Sequence, residues 1–130
     1  MSDSVQNRGA ARALEPLEGP FLEFDLIGQI DQLRHEEYWQ SGHNSKTIVK
    51  YPDFRMVLTA IQKGSRISEH QTAGRISIQT VRGHIRAHAE GREVSLPQDH
   101  LLVLDRQVPY DIEAVEDSAF LLMLAWPAET

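Results

Sequence analysis

The 130-residue chain has no cysteine, which excludes disulfides and thiolate metal sites but leaves the compartment open. It is short of basic residues, with 13 against 19 acidic ones and a net charge of −6. That balance argues against nucleic acid or an anionic membrane as the main partner. No run approaches the roughly 20 apolar residues a membrane-spanning helix needs. Residues 1–20 lack the apolar stretch of a secretory leader. No glycine loop stands before a helix to cradle phosphate, no serine has a nucleophile-elbow setting, and no internal repeat is visible. These absences predict a soluble, cytoplasmic protein.

What remains fits one domain with a real hydrophobic core. Residues 1–20 mix polar residues, glycine and proline without periodicity and read as a flexible or draped arm. Residues 21–46 carry one helical pattern. Asp25 is placed to cap it, and Leu26, Ile27, Ile30, Leu33 and Tyr38 fall on one face before Gly42 and Asn44 end it. From Thr47 to residue 127 the texture becomes that of strands. Short apolar runs near 47–51, 55–62, 75–82, 84–89, 92–96, 101–104, 109–114 and 118–126 alternate with turn residues such as Pro52-Asp53, Gly83 and Glu90-Gly91. Many short strands at this spacing predict an all-β sandwich or barrel. The run Phe120 to Trp126 is apolar on both faces, so its second face needs the helix or another subunit as cover.

A framework of spaced residues sharpens that reading. Gly64, His70, Thr72, Ile76 and Gly83 have five, one, three and six residues between them, and Gly91, Pro97, Pro109 and Tyr110 follow. This framework resembles the two signature motifs of the cupin superfamily over about residues 47–126, and in particular its small single-domain, RmlC-like members. The resemblance implies a double-stranded β-helix, the cupin jelly-roll barrel, with a short N-terminal helix and often a homodimer. It also implies departures. The family's metal ligands are histidines at the positions of His70, Thr72 and Tyr110 and a glutamate or histidine at Ile76. Its Pro-x-Gly turn becomes Pro97-Gln98-Asp99. Ile76 offers no donor atom, neutral Thr72 is a poor ligand, and phenolate ligation by Tyr110 suits few ions. The expectation is a barrel without the standard four-ligand metal site and with no cofactor.

Within such a barrel the resemblance makes His70, Thr72, Ile76, Ile78 and Tyr110 the ligand-binding candidates, with His70 and Tyr110 the candidate catalytic pair. A histidine titrating near pH 6.5 suits acid–base work at neutral pH. Arg75, Thr59 and Gln62 are minor candidates. His84, Arg86 and His88 alternate along one face of a strand, while Ile85 and Ala87 suit the interior, so the polar trio reads as an exposed face. The leading functional reading is a cupin that binds a small molecule in its barrel. The alternatives are a metal-free isomerase or epimerase using His70 and Tyr110, a metal-dependent oxygenase with an unusual site, and a structural dimer whose barrel takes no ligand.

Overall fold

Period-two burial decides which side of each strand faces inward. In the computed structural model, which describes residues 15–69 and 73–127, β4 (Arg75–Arg82) buries Ile76, Ile78 and Thr80 and turns Arg75, Ser77 and Gln79 the other way. The elements in order are α1 (Leu26–His35), a 3-10 turn (Glu37–Ser41), β1 (His43–Tyr51), β2 (Phe54–Ile61), β3 (Arg66–Glu69), β4, β5 (His84–Ala89), β6 (Arg92–Pro97), β7 (Leu101–Leu104), β8 (Tyr110–Ala114) and β9 (Ser118–Ala125). A five-stranded sheet, β1-β2-β9-β4-β7, faces a four-stranded one, β3-β8-β5-β6, and the pairings are antiparallel. This is an all-β jelly roll with one short helix.

Two clusters divide the apolar residues. The inner one lies between the sheets and includes Ile76, Ile78, Ile85, Ala87, Tyr110, Ile112 and Phe120. Thr80 sits within this interior without an unmet hydroxyl, because its Oγ1 donates to Leu96 O of the opposite sheet at 2.8 Å. The outer cluster joins Ile30 and Leu33 of α1 to Leu58, Ala60, Ala119 and Leu121 on the back of the five-stranded sheet. The helix therefore covers part of the second face of β9, as the doubly apolar run 120–126 requires.

The barrel turns its corner at Gly83. Strands β4 and β5 form one long ribbon with β8 and β9, and the ribbon passes from one sheet to the other there. Gly83 has φ +82°, and Ser118 packs against it, accepting from His84 N at 2.9 Å and donating to Glu116 O at 2.6 Å.

Three expectations are corrected. The α-helix stops at His35, earlier than its pattern suggests. Asp25 does cap it, accepting from Gly28 N, but Glu36 adopts an extended backbone and Gly42 (φ +113°) caps only the following 3-10 turn. Asn44 lies in β1, and its Nδ2 donates to Leu33 O at 3.0 Å and to Glu36 Oε1 at 2.9 Å, tying the helix end to the sheet. Ile27 and Tyr38 are exposed, and Ile30 and Leu33 are the buried residues of α1. The first strand begins at His43, four residues before the expected start. Strand β3 lies where the pattern shows none, because Arg-Ile-Ser-Glu offers a single apolar residue, Ile67, to the core.

Candidate functional site

One end of the barrel collects Ile76, Ile78 and Tyr110. Register across the five-stranded sheet sets Arg55, Leu124, Ile76 and Leu104 in one row, and Val57, Leu122, Ile78 and Leu102 in the next inward row of that face. On the opposite sheet Tyr110 pairs with residue 69 of β3 and with Ala89 of β5. Residues 70–74 join that end of β3 to the Arg75 end of β4, so both rows border the same mouth of the barrel. Ile76 is 2% exposed, Ile78 0% and Tyr110 5%, and all three belong to the inner cluster. Tyr110 thus faces the Ile76 wall from across the barrel. His70 and Thr72 lie outside the described residues.

The other candidates are placed elsewhere. Arg75 is on the outer face, 3.0 Å from Asp105. The Asp105 carboxyl is held below its usual range by the Arg106 backbone amide first and by the Arg75 guanidinium second. Gln62 donates to Trp39 O at 2.6 Å, and the Thr59 hydroxyl pairs with that of Ser45 at 2.8 Å, so both serve the framework. Among the described residues no three His, Asp or Glu side chains are grouped to hold a metal ion.

His84, Arg86 and His88 line the outer face of the four-stranded sheet, while Ile85 and Ala87 point inward, as their alternation predicts. Each is partnered there. His84 Nε2 lies 2.7 Å from the Ser95 hydroxyl, His88 Nδ1 lies 2.8 Å from Asp111 Oδ1, and Arg86 lies 3.3 Å from Glu93. Arg66 reaches Asp111 and Glu113 at 3.2 Å. An open hollow of about 600 Å³ beside these pairs is bordered by Ser68, His88, Arg92, Pro109 and Tyr110.

Sequence reasoning passed over Arg55 and Trp126. The Arg55 guanidinium lies over the Trp126 ring, 5.3 Å from its centroid, at the mouth. Both faces of 55–61 carry apolar residues, so alternation alone does not say which way Arg55 points.

No family model matches the chain, and no curated protein matches it. Solved structures do. An RmlC-like cupin from Desulfovibrio desulfuricans is similar with a TM-score of 0.61 at 16% identity, over 88% of this chain and 97% of that one. The fold is that of the cupins. A point mutant of salicylate 1,2-dioxygenase from Pseudoaminobacter salicylatoxidans is similar over 94% of this chain and 42% of its own, with 14% identity and a TM-score of 0.71. A conserved protein of unknown function from Streptococcus pyogenes is similar over 92% and 99%, with 19% identity and a TM-score of 0.69. At these identities the likeness concerns the cupin barrel itself.

The family's four-ligand metal centre does not fit this cupin barrel. The third ligand position holds Ile76, whose side chain is buried among hydrocarbon neighbours and has no donor. Tyr110 is buried in the same cluster. A donor set of His70, Thr72, Ile76 and Tyr110 has one strong ligand in four. The described residues include no helix long and apolar enough to cross a membrane.

Proposed function

We propose that this cupin binds a small molecule at the open end of its barrel, without the family's four-ligand metal. The observation that carries the reading is the meeting of Ile76 and Ile78 with Tyr110 at one mouth, an apolar wall facing a phenol. Apolar lining with few convergent polar groups is the usual make-up of a small-molecule site. His70 supplies the titratable group of that site and Thr72 a hydroxyl. Two measurements on protein purified without chelator or nickel resin test the reading. Elemental analysis should find less than about a tenth of an equivalent of any transition metal, given the donor set. An NMR screen of small organic molecules should move the amide signals of Ile76, Ile78 and Tyr110. Stoichiometric iron, manganese, nickel or zinc lost on His70→Ala, or a screen that leaves those signals untouched, overturns it.

The same reading includes a homodimer. The helix covers Leu121, but β7 is an edge strand whose Leu101 and Val103 are 55% and 62% exposed on the same outer face. A groove bordered by Phe54, Val103, Met123 and Ala125 continues that surface. A two-fold axis running parallel to the sheet would set this outer face against the same face of its copy, so that each protomer covers the other's Leu101 and Val103. Light scattering should give a dimer at roughly tens of micromolar, and Val103→Lys should shift it toward monomer. A well-behaved wild-type monomer at that concentration counts against the interface.

A further inference from the structure

The row at the barrel mouth is not apolar throughout. Register sets Lys50, Arg55, Leu124, Ile76 and Leu104 side by side. Residues directly opposite on antiparallel strands share a face. Leu124, Ile76 and Leu104 pack in the inner cluster, so Arg55 and Lys50 belong to that same face. Two like charges directly opposite one another destabilise a sheet.

Neither charge is offset by a carboxylate among the described residues. They share this with Lys63, Arg82, Arg92 and Arg106, whereas Arg34, Lys46, Arg66, Arg75 and Arg86 have an acidic partner within 4 Å; what sets Arg55 apart is its buried Nε. The Arg55 Nε is shut off from solvent and has no hydrogen-bond partner. A buried donor left in this way calls for a ligand, an ion or a strained role to explain it.

We propose that Lys50 and Arg55 form an anion site at the barrel mouth, and that the small molecule of this cupin carries a carboxylate on an apolar body. The inference rests on the reading that the mouth takes a small molecule. Arginine's planar fork matches a carboxylate with two parallel hydrogen bonds. Trp126 beneath the guanidinium fixes the plane of that fork by a cation–π contact. Lys50, exposed on the edge strand, adds a point charge at the rim. Ile76, Leu104 and Leu124 in the same row provide the apolar surface for the rest of the molecule.

The test is an NMR titration with three matched pairs: benzoate and benzamide, phenylacetate and phenylacetamide, hexanoate and hexanamide. It uses the wild-type chain, Arg55→Met, Arg55→Lys and Lys50→Gln. At least one carboxylate should shift the amides of residues 55, 76 and 124 and bind about tenfold more tightly than its amide, the scale of a charge-assisted contact. Arg55→Met should abolish that preference, Arg55→Lys should restore part of it, and Lys50→Gln should weaken carboxylate binding several-fold. Without any compound, Arg55→Met should melt at or above the wild-type temperature, because it removes an unpaired charge and keeps an apolar body. A fall of more than about 5 °C would mark Arg55 as a structural prop for Trp126 and overturn the assignment. Carboxylates and amides binding alike, or a preference that survives Arg55→Met, also overturn it while leaving the small-molecule reading in place. No shift in the row with any compound overturns both.

Discussion

Ile76→His is expected to lower stability by about 2–6 kcal/mol and to bring no metal with it. The substitution puts a family-type ligand back at the third position, so it measures whether only that donor is missing. Ile76 lies between Leu104 and Leu124 in its row and is buried with them. An imidazole there loses the burial of a branched aliphatic chain and brings two ring nitrogens into a hydrocarbon setting. Each of those two effects is worth on the order of 1–3 kcal/mol. His70→Ala in the same background separates the outcomes. Urea unfolding reads the stability loss, and elemental analysis reads the metal. A stable variant holding stoichiometric zinc or iron would mean that Thr72 and Tyr110 complete a usable ligand set.

Gly83→Ala is expected to destabilise the protein by about 3 kcal/mol. A side chain at φ +82° costs about 1–3 kcal/mol by itself. Its Cβ would also stand 2.6 Å from Asp117 O and 2.9 Å from Ser118 Cα, both backbone atoms, and against the Ser118 hydroxyl. Moving Ser118 aside breaks its bond from His84 N and leaves that amide without a partner, a further loss on the order of 1 kcal/mol. Chemical denaturation of Gly83→Ala beside Ser118→Ala checks the argument. If the glycine variant loses less than about 1 kcal/mol, the ordinary size of a surface change, the corner is not set by this contact.

Much of the barrel is legible because local and long-range demands agree in its strands. Arg75 to Arg82 alternates so regularly that both of its faces can be assigned, and Gly83 marks the corner by its residue type alone. The cupin spacing then places Ile76 and Tyr110 toward one interior. What is not legible depends on contacts distant in the chain. The helix ends at His35 because Asn44, nine residues later, takes up the carbonyl of Leu33. β3 forms because β8 lies beside it, not because its four residues prefer a strand. Arg55 escapes notice because its strand is apolar on both sides. Its face becomes known only through its pairing with Leu124 and Lys50, after the register slip between Thr47 and Val49. Tertiary pairing of this kind is where sequence patterns lose their power.

The central position of β9 has a consequence for how the molecule is made. It is the last strand of the described chain, yet it lies between β2 and β4. A ribosome delivers β2 some sixty residues before the partner it needs. At a synthesis rate of about 5–20 residues per second, β2 waits for several seconds and β4 for a shorter time. Their open edges are templates for mispairing through that interval. Once residue 125 has emerged, closure joins segments far apart in sequence, which places such a barrel among the slower folders, in roughly milliseconds to seconds. Chains cut short before β9 should be its most aggregation-prone products.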